Sequence, residues 1–261
     1  ESAVMSLETC FGPELNIFEE TPEHANRVVT SSPVLSHKKL NTLLKSKRFK
    51  SQEFKLVFSK SEALESALTK LGNKIKSAVK KGNVLIHLIE EMPGDNMLSI
   101  NALIATGYIH QQLINEGLRT DANIIVSTAS ARDTHSIACL ISYGATAVYP
   151  WLAFQSILDL TNKGELKGSP TENCAKYRKG INKGLLKIIS KIGISTISSY
   201  RGSQLHEIVG LDDEVVDKCF TGTVSRIGGK NFGSIKQQET DLFSYCLLYT
   251  SDAADDSRSV G

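Results

Sequence analysis

Two polar, glycine-containing segments hold the side chains best suited to bind an anion or a partner surface. The first is "SSYRGSQ", residues 198–204, where hydroxyl, guanidinium and amide groups stand close together. The preceding "ISTIS" (Ile194–Ser198) predicts a strand and Ser203 can cap a following helix, and ligands of open α/β sheets bind at such strand ends. Packing against a neighbouring domain explains the segment equally well. Its candidate residues are Ser199, Tyr200, Arg201 and Gln204.

The second segment is the glycine-rich "FTGTVSRIGG", residues 220–229. Glycine permits a close backbone path, and an arginine in such a loop can hold an anion through paired hydrogen bonds. The spacing matches neither the dinucleotide fingerprint nor the phosphate-binding loop of nucleotide enzymes, so a structural crossing loop is at least as good an interpretation. Its candidate residues are Thr221, Gly222, Thr223, Arg226, Gly228 and Gly229.

A third stretch, "STASARDTH" (Ser127–His135), follows a predicted strand and opens a predicted helix. Ser130 and Asp133 have capping-box spacing, free N–H groups at a helix start can bind an anion, and His135 could act as an acid or base. A capped helix with a packed or solvated histidine is the favoured interpretation. With no nucleophile elbow and no paired carboxylates in the sequence, we expect no catalytic residue.

The five cysteines are scattered and contain no Cys-x-x-Cys pair, which argues against a disulfide framework or a zinc site. We expect reduced thiols in a cytoplasmic protein. The net charge of +2 and the lack of an apolar run near the ~18 residues that span a bilayer predict neither nucleic acid nor membrane as partner.

A long helix is predicted from Pro170 to Ile192. "SPTE" forms a capping box at its start, and Gly193 supplies the left-handed stop. Without interleaved aromatic residues, the lysine stripe on one face indicates a solvated or interdomain surface rather than a nucleic-acid site. The stripe consists of Lys176, Lys179, Lys183, Lys187 and Lys191, and the apolar face of Ile181, Leu185, Ile188 and Ile192.

These segments are positioned by alternating strands and helices, which predict parallel βαβ units. The fold class is therefore α/β, with three layers and a mainly parallel sheet flanked by helices. Residues 1–50 are interpreted as an extended lead-in, 51–245 as the α/β domain, and 246–261, which resemble a translated sequencing adapter, as a non-native tail. The predicted strands are Glu53–Phe58, Asn83–Ile89, Ala122–Thr128, Ala145–Tyr149 and Ile194–Ser198, and the helices span 61–82, 97–116, 131–142 and 152–160.

Several motifs in the same order resemble the central domain of the glutamate synthase large chain. The resemblance covers roughly residues 12 to 240, with departures such as "EMPGD" after the strand at 83–89, where the family has Ser-Asp-Arg. The matching motifs are Ser31–Ser36, Glu116–Thr120, Tyr143–Ala153, Lys183–Gly193, Ser199–Gln204, Val215–Asp217, Phe220–Thr223 and Ser225–Gly229.

The resemblance implies a connecting domain of a larger enzyme. Family members join a glutaminase with an N-terminal cysteine nucleophile, this domain, and a barrel carrying FMN and an iron–sulfur cluster. Glutamine is hydrolysed, ammonia travels inside the protein, and 2-oxoglutarate becomes glutamate; the reductant, from a small NADPH-oxidising subunit, NADH or ferredoxin, stays open. We expect no cofactor in this chain, and Cys10 is not the nucleophile. The alternative is a free-standing α/β domain that binds an anion or small molecule without catalysis.

Overall fold

The computed structural model of the chain describes residues 4–243, so the predicted tail at 246–261 and Cys246 lie outside the described residues. The strands are β1 (Thr9–Phe11), β2 (Val28–Thr30), β3 (Lys50–Lys55), β4 (Val57–Ser59), β5 (Asn83–Ile89), β6 (Met97–Ser99), β7 (Asn123–Thr128), β8 (Ala147–Pro150), β9 (Glu207–Leu211) and β10 (Val224–Lys230). The helices are α1 (His37–Leu44), α2 (Leu64–Lys80), α3 (Ala102–Asn115), α4 (Thr134–Ser142), α5 (Trp151–Asn162), α6 (Pro170–Lys191), α7 (Ile197–Tyr200) and α8 (Asp213–Cys219). Residues 232–243 are helical as well.

The main sheet has four parallel strands in the order β3-β5-β7-β8. Every residue of β7 is buried, as expected of a parallel strand covered on both faces. Because side chains alternate along a strand, Ile124 and Val126 enter the core formed with α2, α3 and α4, while Ile125 enters a second core with α1. The predicted α/β class with a mainly parallel sheet flanked by helices is confirmed, and the lead-in contributes β1, β2 and α1 to the second face.

Two predicted elements are wrong at their boundaries. The strand predicted at 53–58 is two strands, because after Leu56 the chain forms β4, which pairs antiparallel with the distant β6. The helix predicted at 97–116 starts only at Ala102, where the side chain of Asn101 accepts from the N–H groups of Leu103 and Ile104. Pairing between segments about forty residues apart leaves no local periodicity to read.

The strand predicted at 194–198 is absent from the main sheet. The place beside β8 is taken by the lead-in: the Val148 N–H donates to the Pro33 carbonyl and the Leu35 N–H donates to the Val148 carbonyl. Thr196 therefore makes only an isolated bridge to Ser6, and the chain turns into α7.

The polar segments also differ from their predicted secondary structure. No helix follows Ser203; the chain turns at Gly202 and enters β9. The predicted loop 220–229 contains β10, which pairs in parallel with β9. Gly229 serves strand packing, since a Cβ there would lie 2.3 Å from the carbonyl oxygen of Gly210, whereas a Cβ on Gly228 would meet nothing within 4 Å.

The long helix α6 is confirmed, with the predicted capping box between Ser169 and Glu172. It buries Ile181, Leu185 and Ile189. Of the predicted apolar face, Ile188 packs half-buried against the core, and Ile192 is exposed. The five lysines of the predicted stripe are exposed. None of the helices described within residues 4–243 is both long and apolar enough to cross a membrane.

Candidate functional site

The two predicted segments meet at the carboxyl end of α4. Gly222 adopts a left-handed backbone (φ 80°) against the side chain of Gln204, where a Cβ would lie 2.2 Å from Nε2 of that glutamine. Gln204, Thr221 and Thr223 then line a cavity of about 140 Å³ between α3 and α4. Four of the predicted residues are therefore brought together.

Four further candidates, Ser199, Arg226, Gly228 and Gly229, lie apart from this cavity. Ser199 stays in the α7 turn, with its hydroxyl 2.9 Å from that of Thr196. Arg226 is exposed on β10, 3.8 Å from the carboxylate of Glu207, and Gly228 and Gly229 continue the same strand. Arg226, Gly228 and Gly229 therefore belong to a separate surface.

Buried aromatic and histidine side chains fix the two segments to α4. The Tyr200 hydroxyl lies 3.1 Å from Nε2 of His206, and the Tyr143 hydroxyl lies 3.0 Å from that of Thr223. Burial raises the pKa of Tyr200 to about 12, and burial, followed by His135, lowers the pKa of His206. Both groups are neutral at pH 7, so the cluster holds the segments in place without offering a charge.

His135 and Cys139 form the nearest approach to a nucleophile and a base. They lie one turn apart on α4, with Sγ 3.6 Å from Nε2. Burial raises the pKa of Cys139, and Asp133 raises it further. The thiol therefore stays protonated, which opposes a role as nucleophile because the thiolate is the reactive form.

The predicted anion site at the start of α4 is filled by the chain itself. Oε2 of Glu90 accepts from the N–H of Ala129 (2.9 Å) and of Ser130 (3.0 Å), and from the Thr128 hydroxyl. Ser130 thus serves this carboxylate and does not cap α4, whose N-cap is Asp133. Sequence reasoning missed Glu90, whose only signal was its place in "IEEMPGD" at the end of β5.

A buried arginine–histidine pair borders the cavity. Arg119 donates from Nε to Nδ1 of His110 (2.8 Å), and from its two Nη atoms to the carbonyls of Ala122 (2.6 Å) and Gly144 (2.9 Å). Burial, together with the charges of Arg119 and Arg201, lowers the pKa of His110 to about 3. Arg119 lies in "EGLRT", a motif used above only for the resemblance, so the pair was not predicted.

Arg201 is the unusual member of the site. Burial lowers its pKa, with Glu14 opposing, and its Nε atom is buried without a hydrogen-bond partner. Within residues 4–243, the other buried side-chain polar atoms without a partner are the hydroxyls of Ser203 and Ser225. All three fall in the two segments singled out from the sequence, although buried polar groups are normally paired.

Known proteins align with most of this chain. The profile of the family described as the glutamate synthase central domain matches residues 1–212. The chloroplastic ferredoxin-dependent glutamate synthase of Oryza sativa subsp. japonica is 40% identical over 270 residues, covering 97% of this chain and 17% of that protein. The NADPH glutamate synthase large chain of Bacillus subtilis (strain 168) is 35% identical, covering 91% of this chain and 16% of that protein.

The chain therefore spans about a sixth of the length of these relatives. Among solved structures, a flavocytochrome b2 variant with sulfite bound aligns with 77% of this chain and 48% of its own, at a TM-score of 0.43 and 12% identity, a likeness too weak to bear on function. The family match covers more than three quarters of the residues and agrees with the order of motifs in the sequence. The chain belongs to the glutamate synthase central domain family.

Proposed function

We propose that this chain is the connecting domain of a glutamate synthase, between a glutaminase domain and an FMN domain. The parent enzyme would make glutamate from glutamine and 2-oxoglutarate in the cytoplasm, drawing electrons from ferredoxin, NADH or a small NADPH-oxidising subunit. Within residues 4–243 the thiols lie apart and no three metal-ligating side chains converge. In this proposal, FMN and the iron–sulfur cluster belong to neighbouring domains of the parent enzyme.

One observation carries the role of connector: the unpartnered buried polar atoms cluster in the two polar segments. An unpaired buried group costs about 1–3 kcal/mol, and three of them within two short segments call for a functional explanation. The guanidinium of Arg201 suits a carboxylate or a carbonyl of a docked domain. Segments 198–204 and 220–229 are thus the proposed contact with the neighbouring domains.

The histidine and tyrosine side chains around the two segments also suit a wall beside a path for ammonia. Such a wall must not protonate ammonia, because ammonium is charged and no longer a nucleophile. The histidines that face the segments, His110 and His206, have lowered pKa values, and Tyr200 has a raised one. None of them gives up or holds an extra proton near pH 7.

The test is the coupling between the two half-reactions in the full-length polypeptide that contains this chain. For Arg201→Ala we expect glutamine hydrolysis to persist, glutamate formation to fall about tenfold through misplaced domains, and free ammonia to appear in the medium. Arg132→Ala, at an exposed arginine before α4, is the matched control and should stay coupled. Unchanged coupling in Arg201→Ala would count against the connector role.

The alternative of a free-standing anion-binding domain is tested by titrating the chain with inorganic phosphate. Glu90 already occupies the N–H groups at the strand end, which leaves Arg201 as the remaining candidate. Micromolar binding that Arg201→Ala abolishes would favour the alternative. We expect no binding in that range.

A further inference from the structure

Strands β9 and β10 form a ribbon that is unusual for its strand direction. They pair only with each other, in parallel, among the residues that the structure describes. Parallel sheets are almost always covered on both faces, and two strands alone are marginally stable in water. The ribbon therefore has the parallel strand direction that is typical of a buried sheet, although it lies at an exposed position.

One face of the ribbon carries three exposed apolar side chains beside Glu207, which is the register partner of Val224. Partnered residues of a parallel pair point to the same side, and the register places Val209 opposite Ile227, with Val224 one pair away on that side. These side chains are 72%, 60% and 49% exposed. Ile208, on the opposite face, packs against the main core.

The ribbon is a defined structural element, held by backbone hydrogen bonds and a close backbone contact. The Asp212 N–H donates to the Lys230 carbonyl, and the backbones meet closely at Gly210 and Gly229. The free edge of β10 leaves its outward N–H and C=O groups without a strand partner, which is a template for a further strand.

The position of the ribbon in the chain indicates what covers it. The family match ends at residue 212, directly after β9, so that β10 lies beyond the family domain. The relatives are about six times as long as this chain. Three apolar side chains are far fewer than the ~20–30 residues a side of a stable interface between separate molecules, but continuity of the polypeptide supplies a high effective concentration.

We propose that β9 and β10 are the seam between the central domain and the domain that follows it in the same polypeptide. Val209, Val224 and Ile227 and the edge of β10 would be covered by a strand-bearing apolar surface of that domain. The seam rests on the proposed function.

The test is chemical labelling of the full-length polypeptide with single substitutions Val209→Cys and Ile227→Cys. Maleimide labelling is located by peptide mass spectrometry, because Cys10 is also exposed, and each rate is divided by the rate in denaturant. We expect both positions to be protected more than about tenfold, independently of protein concentration. Ile17→Cys, at a side chain 80% exposed in the lead-in, checks the chemistry.

Rates close to those in denaturant at either ribbon position would overturn the seam. Protection that is lost on dilution would overturn it as well, because it would assign the face to a second copy of the chain. Labelling does not depend on catalysis. A failed seam therefore leaves the coupling assay of Arg201→Ala unaffected, and a failed coupling assay leaves the labelling result standing.

Discussion

The protonation and hydrogen bonding of single side chains determine the chemical properties of the site. His110 is neutral because burial and two guanidinium groups oppose its protonation, and its Nδ1 must accept from Arg119. Glu90 supplies an internal anion to N–H groups that would otherwise attract an external one. Each arrangement makes a specific prediction.

Stability should fall as the solution is acidified below pH 6.5. The pKa of His110 is lowered from 6.5 to about 3 in the folded chain, so between these values the unfolded chain binds a proton that the folded chain does not. The free energy of unfolding should then decrease by up to about 1.4 kcal/mol per pH unit from this group. Urea unfolding at pH 7 and pH 5 measures this decrease in the free energy of unfolding.

The matched variant is His110→Gln, whose side-chain oxygen still accepts from Arg119. His87 and His206 have lowered pKa values too, so the variant should lose part of the pH dependence and not all of it. Equal slopes for the two proteins would contradict the assignment to His110.

Removing Glu90 should expose an anion site. Glu90→Ala leaves the N–H of Ala129 unpaired, at a cost of about 1–3 kcal/mol, while the N–H of Ser130 keeps only the Thr128 hydroxyl, at 3.1 Å. Sulfate at ~100 mM should then raise the melting temperature of the variant about 3 °C more than that of the unaltered chain, equal to about 1 kcal/mol of binding. Equal salt responses would show that these N–H groups do not hold anions.

At the scale of elements, close helix packing depends on glycine. A Cβ on Gly184 of α6 would lie 2.5 Å from Oγ1 of Thr134 on α4, whereas a Cβ on Gly180 of the same helix would meet nothing within 4 Å. Gly180→Ala should stabilise the chain by about 1 kcal/mol through helix propensity. Gly184→Ala should destabilise it by about 1–3 kcal/mol through overpacking.

The pair is compared by denaturant midpoints in one buffer. Because both substitutions change helix propensity equally, their difference isolates the contact between α4 and α6. A stabilising Gly184→Ala would mean that the two helices separate freely.

Local signals predicted some elements well and others badly. The capping box at Ser169 and the apolar run of β5 identify their elements without tertiary information. The strand predicted at 194–198 fails because Val34 already occupies the edge of β8. The loop predicted at 220–229 fails because residues 224–230 form β10, in which Gly229 serves a close strand contact that resembles a turn signal in sequence.

At the scale of the whole molecule, the sequence singled out two polar segments that lie together in the fold, but not the side chains that surround them. Both polar segments were recognised from residue types, and they do meet around Gln204 and Gly222. The charge partners Glu90 and Arg119 come from distant parts of the chain, so no spacing could reveal them. Only three-dimensional contacts distinguish an anion site already filled by Glu90 from an arginine whose Nε atom lacks a hydrogen-bond partner.

The parallel ribbon of β9 and β10 has a consequence for synthesis on the ribosome. A nascent chain that has emerged as far as residue 212 contains the whole family match, yet β9 still lacks β10, its strand partner among the described residues. That partner emerges after α8, at residues 224–230. The pairing of β9 therefore has to wait for residues that lie beyond the family match, so the matched segment cannot complete all of its strand contacts on its own.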